Sequence, residues 1–235
     1  MSSDNDSRKQ AEEYFVAQQN SNLSELLSTL LSIIGSKNEV QATPSFCIIA
    51  KPFTTVMYIG SDLVLQDLMI RSLAGILLRR TIDPTSPHGS QIDDNTTSQI
   101  RTELMNIWAG ETNHMILRRL SHVIAQSASN GNWVDLIPAI VSHSSTVTDP
   151  NGLISLLNII EILADYCPGD ILTHAACLIS FLGEHLSADS LSVQTAAAKA
   201  TGACIVSLED DTARAAFKPA GESIREVICE WDGVD

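Results

Sequence analysis

A chain of 235 residues, 44% hydrophobic but only 5% aromatic, is long enough to bury a core. It is poor in the residues that build sandwiches and barrels. Its 14 Lys and Arg against 28 Asp and Glu give a formal net charge of −14. That balance argues against nucleic acid or anionic lipid as an electrostatic partner. It leaves basic protein surface, or simply an acidic solvated face.

The polar opening MSSDNDSRKQ carries no apolar signal region, and no apolar run reaches the roughly 20 residues of a membrane span. Ser7–Gln19 reads as a short helix with Ala11, Tyr14 and Phe15 inward. After the turn Asn20-Ser21-Asn22, Leu23–Ile34 places Leu23, Leu26, Leu27, Leu30 and Ile34 on one face. The pattern then breaks over Gly35–Ser61. Within it Phe46–Gly60 is β-branched, interrupted by Pro52 and without helical period. A short hairpin, a loop tucked on the surface, or sequence foreign to the ancestral domain all fit that stretch.

Asp62–Ile82 is the most apolar helical run. Leu65, Leu68, Met69, Leu73, Ile76 and Leu77 draw a stripe, with Asp67 and Arg71 four apart on the other side. Arg79 and Arg80 place cations in its last turn, and Asp83-Pro84 ends it. A polar loop, Asp83–Thr97, precedes helical patterns over Ser98–Gly110 and His114–Ser127. The turn 129–132 leads to Trp133, Leu136, Ile137, Ile140 and Val141. Leu153–Tyr166 is apolar nearly all round, which suits a helix covered on both sides. Ile171–Leu186, the Ala-rich Leu191–Leu208 and a last helix reaching Trp231 complete the chain. Ala196, Ala197, Ala198, Ala200, Gly202 and Ala203 would allow close approach of two helix backbones.

Helices therefore follow one another, and second helices begin near His114, Gly152 and Leu191, a spacing of about 40 residues that matches a two-helix HEAT unit. The expected fold is all-α, a HEAT-repeat α-solenoid of about five helix pairs with an irregular insert at 35–61. Residues 1–34 would form a partial first repeat and the start of a second, and residues 62–235 the remaining repeats.

Chemistry of other kinds has little support. There is no phosphate-binding Gly-rich loop, no metal helix and no nucleophile elbow, so the reading is of a non-enzyme without cofactor or metal. The five cysteines, Cys47, Cys167, Cys177, Cys204 and Cys229, are odd in number, lack C-x-x-C spacing and read as reduced thiols of an intracellular protein. His174 and Cys177 sit one turn apart without a further ligand pair. Arg79-Arg80 and Arg118-Arg119 could contact phosphate but make no nucleic-acid footprint in so acidic a chain.

Three runs carry a family resemblance: RKQAEEYF at Arg8–Phe15, RSLAGILLRR at Arg71–Arg80 and VQTAAAKATGACIV at Val193–Val206. They resemble the N-terminal HEAT repeats of importin-β (karyopherin-β) nuclear transport receptors, nearest the importin-5, or karyopherin-beta-3, branch. The likeness extends over most of the chain. The family's first helix, which should precede Arg8, is missing, and Gly35–Ser61 has no counterpart; the sequence reads as an N-terminal portion or a shortened product. The resemblance implies a carrier shuttling between cytoplasm and nucleus. Its concave face would hold Ran-GTP and basic localisation signals of cargo, and its outer face would meet phenylalanine-glycine nucleoporins. Candidate concave positions, chosen off the apolar stripes, are Arg8, Glu12, Asp67, Arg71, Arg118, His122, Glu161 and Lys199. The competing expectation is a HEAT scaffold of another assembly with no dependence on Ran.

Overall fold

The computed structural model describes residues 2–36, 63–129, 133–208 and 211–218. All regular structure among them is helical, with no strand. The insert at 35–61 lies outside the described residues except for Gly35 and Ser36, as do Cys47, Cys229 and the end of the last expected helix.

In chain order the helices are α1 (Ser2–Ser21), α2 (Leu23–Gly35), α3 (Leu63–Ile82), α4 (Asp94–Gly110), α5 (His114–Ser129), α6 (Leu136–Ser144), α7 (Pro150–Tyr166), α8 (Pro168–Thr173), α9 (Ala175–Leu186), α10 (Leu191–Ser207) and α11 (Asp211–Ala216). A single 3₁₀ turn, Gly89–Gln91, lies between α3 and α4.

The helix ends follow local chemistry. The Asn22 side chain caps α2 by accepting from the Glu25 amide. Asp93 caps α4 at Thr96, 2.7 Å away, so this helix starts earlier than the polar loop suggests. Asp149 caps α7 at Gly152, with Pro150 in the first turn where its missing N–H costs nothing. The expected helix Ile171–Leu186 is divided: His174 ends α8 and starts α9.

The chain divides into two compact units, residues 1–123 and 124–235, with the boundary inside α5. In the first, α2 packs on α1, α3 and α4. Its core is Leu26, Leu27, Leu30 and Ile34 of α2 with Ala74, Leu78 and Ile82 of α3 and Ile100, Leu104 and Trp108 of α4. Across the top, the Gln19 side-chain amide donates to the Thr81 hydroxyl at 3.1 Å.

In the second unit α7 and α10 form the broadest contact, and α9 packs on α10. The expectation that α7 is covered on both sides is met: Leu156, Leu157, Ile159, Ile160, Leu163 and Ala164 are all buried. Ala196, Ala197 and Ala200 are buried, so small residues occupy the packed faces of α10. Gly202 is not among them, because a Cβ there would meet nothing within 4 Å.

The face that α3 buries is not the apolar stripe read from its sequence. Met69 and Ile76, both in that stripe, are 48% and 38% exposed. Arg71, Ala74, Leu78, Thr81 and Ile82 are buried instead. A helix this rich in aliphatic residues has no single apolar direction, so its orientation answers to its neighbours. The buried Arg71 is what they accommodate.

Candidate functional site

Two polar clusters stand out in the first unit, and both sit on α3. The first is internal. Arg71 Nε donates 2.8 Å to the Ile34 carbonyl at the end of α2, where backbone acceptors lack helical partners. Its terminal nitrogen pairs with Glu111 Oε2. The other Glu111 oxygen accepts from the amides of Thr112 and Asn113 at 2.9 and 2.8 Å, in the link that leads into α5. Asp67 lies one turn before Arg71. Burial, only partly offset by Arg71, pushes its carboxyl above the usual range, and Glu111 adds to the rise. Arg71 therefore ties together the end of α2, the body of α3 and the start of α5.

That placement corrects the expectation for Arg71. Its sequence position suggests a solvent-side residue available to a partner, yet its side chain is 5% exposed and committed to internal acceptors. A buried guanidinium needs such acceptors, and here they are supplied from within the same unit.

The second cluster opens to solvent. A cleft of about 170 Å³ between α3 and α5 is lined by Gly75, Ile76, Arg79, Arg80, Asp83, Arg119 and His122. Gly75 faces α5: a Cβ there would stand 3.5 Å from the Cβ of Arg119, an ordinary van der Waals contact. Arg119 Nε donates to the Ser72 hydroxyl at 3.1 Å, holding the guanidinium against α3. Asp83 ends α3 and accepts from the Thr85 amide and hydroxyl at 2.9 and 2.7 Å. Those two bonds hold its carboxyl below the usual range, with Arg79 helping slightly.

His122 reports the local field. Burial, followed by the charges of Arg79, Arg118 and Arg119, holds its imidazole below the ordinary histidine range. Arg79 and the Arg118-Arg119 pair thus act on one imidazole in a chain whose net charge is −14. The arrangement offers guanidinium donors and a neutral imidazole, which is equipment for holding an oxyanion.

Of the remaining sequence-derived candidates, Arg118 is exposed on α5 and His122 half-buried in the cleft. Arg8 lies on α1, with its side chain outside the described residues. Glu12 is exposed on the same helix. Glu161 on α7 is half-buried and Lys199 on α10 exposed, both in the second unit. Arg79, Arg80 and Arg119 were not among the candidates. The signal that could have found them was the doubled arginine occurring once on each of two helices that prove to be neighbours.

Among the described residues no group of histidine, cysteine and carboxylate side chains could hold a metal ion. No helix there is long and apolar enough to cross a membrane. No family model matches this chain, and no curated protein or solved structure matches it either.

Proposed function

We propose that this chain is part of an importin-β-type nuclear transport receptor. In this reading its helices stack as a HEAT solenoid, grip Ran-GTP on the concave side and help carry protein cargo with basic localisation signals through the nuclear pore. The single observation behind the proposal is that the three runs resembling that family fall on α1, α3 and α10, each wholly within its helix. The acidity of the chain supports it too, since a charge of −14 favours rapid, salt-sensitive capture of basic protein surface. Cargo recognition and contact with nucleoporins, and residence in cytoplasm and nucleus, belong to the same proposal.

The test is capture of the full chain on immobilised Ran loaded with a non-hydrolysable GTP analogue or with GDP. Preference for the GTP form of roughly tenfold or more, a difference of about 1.4 kcal/mol, supports the receptor reading. Equal capture by both forms, or none by either, overturns it and leaves a helical scaffold independent of Ran.

A further inference from the structure

The cleft between α3 and α5 has the wrong sign for the basic cargo just described. Three arginines line it, Arg79, Arg80 and Arg119, against one carboxylate, Asp83, which accepts from Thr85 and attracts Arg79. A fourth arginine, Arg118, lies outside the lining but its charge also reaches His122. Gathering three guanidiniums around one cleft in a chain of 14 basic and 28 acidic residues creates a local field opposed to the global one. Like charges lining one cleft repel one another, and a bound anion would relieve that repulsion.

We propose that this cleft binds a phosphomonoester carried on a segment of a partner protein. Three lines of chemistry select that ligand. A carboxylate brings one negative charge and two oxygens, which satisfies a single guanidinium fork. A phosphomonoester brings a charge of about −1.5 to −2 and three terminal oxygens, enough to engage more than one guanidinium. The volume of about 170 Å³ is several times the roughly 30 Å³ share of one water, so a phosphoryl group enters with its ester oxygen at the mouth.

The carrier follows from the surroundings. A nucleic acid would bring a row of charges against a protein of −14, and most of that row would lie outside the cleft and be repelled. A peptide bearing one phosphoryl group avoids this penalty. Beside the arginines, Ile76 is 38% exposed and offers an aliphatic wall for a neighbouring peptide side chain. The inference stands independently of the transport reading, because it uses only the geometry of α3 and α5.

The experiment is fluorescence anisotropy on the full chain, using a labelled peptide with one phosphoserine flanked by Gly, Ser and Leu. Its serine and glutamate counterparts and a single-stranded oligonucleotide serve as comparison probes. The phosphopeptide should bind about tenfold or more tighter than either counterpart, with inorganic phosphate competing. Arg80→Gln and Arg119→Gln should each weaken it about tenfold, while Arg119→Lys loses most of the fork geometry but keeps the charge. Circular dichroism checks that helix content is retained. A second readout avoids substitution altogether: inorganic phosphate added to the unaltered chain should raise the NMR-detected pKa of His122. Equal affinity for the serine and phosphoserine peptides, indifference to both Gln substitutions, tighter binding of the oligonucleotide, or an unmoved His122 titration each overturns the proposal.

Discussion

Arg71 and Glu111, forty residues apart in sequence, form an ion pair whose side chains are 5% and 4% exposed. Each partner also serves a second purpose. Arg71 reaches the terminal carbonyl region of α2 through Ile34, and Glu111 receives two amides ahead of α5. The pair therefore closes the polar ends of elements that the apolar core alone would leave unsatisfied.

Removing one member of such a pair leaves the other charged and desolvated. Arg71→Met or Glu111→Gln should each destabilise the first unit by about 3–5 kcal/mol, measured by urea unfolding. The double substitution Arg71→Met with Glu111→Leu should recover a large part of the loss, because neither member of the pair is left charged without the other. Single substitutions costing less than about 1 kcal/mol would mean the pair is far better solvated than its burial implies.

Asp67 sits beside this pair at a disadvantage. Its carboxyl is raised above the ordinary value of 3.8, first by burial and also by Glu111, with Arg71 opposing. A carboxyl raised in the folded state binds protons more tightly there than in the unfolded chain. Stability tied to Asp67 is therefore greatest below pH 3.8 and declines as pH rises through the folded-state value. Asp67→Asn should consequently stabilise the protein at neutral pH, and the gain should shrink to nothing as pH falls below 3.8. Unfolding midpoints of the two proteins across pH 3 to 7 check this; a gain independent of pH would refute it.

His122 titrates with the opposite linkage. Its imidazole is held below the ordinary 6.5 by burial first, then by Arg79, Arg118 and Arg119. Below pH 6.5 the unfolded chain takes up the proton and the folded chain resists it, so stability present above that pH is lost as pH falls through the folded value. Replacing Arg118 by Gln should raise the His122 pKa, read from its imidazole proton shifts in an NMR titration. An unchanged value would show that the charge of Arg118 does not act on the imidazole.

Cys204 is buried on α10, and its thiol is pushed up to about 12 by desolvation. It should resist alkylation at pH 8 in the folded protein. Cys177, half-buried and raised less, and half-buried Cys167 should be modified first. Mass spectrometry of trypsin fragments after brief iodoacetamide treatment reads the order; labelling of Cys204 at the rate of Cys167 would contradict the packing of α10.

The contact between α7 and α10 depends on small residues. Ala200 is fully buried on α10, which packs on α7 and α9, and Ala200→Leu has no space to occupy without moving a neighbouring helix. Overpacking of this kind should cost about 1–3 kcal/mol, seen as a lower urea midpoint, whereas Gly202→Ala should be neutral or slightly stabilising because nothing stands within 4 Å.

Much of this architecture is legible in the letters because helical period and capping are local. The leucines of α2, the all-round apolar α7 and the alanines of α10 announce their burial within a few turns of chain. Helix starts were less legible: Asp93 and Asp94 looked like loop, though Asp93 is a cap. The runs resembling importin-β repeats are also a property of the sequence, and they alone motivate the transport proposal.

Which way α3 faces is a different kind of fact. Its aliphatic residues point in every direction, so period could not decide between the stripe through Met69 and Ile76 and the face through Arg71 and Leu78. The decision was made by partners distant in the chain, Ile34 and Glu111, whose acceptors make burial of a guanidinium tolerable. The basic cleft has the same origin. Arg79-Arg80 and Arg118-Arg119 are two unremarkable pairs until helix packing sets α5 against Gly75 of α3, and charge density, unlike helical period, exists only where the chain has been folded back on itself.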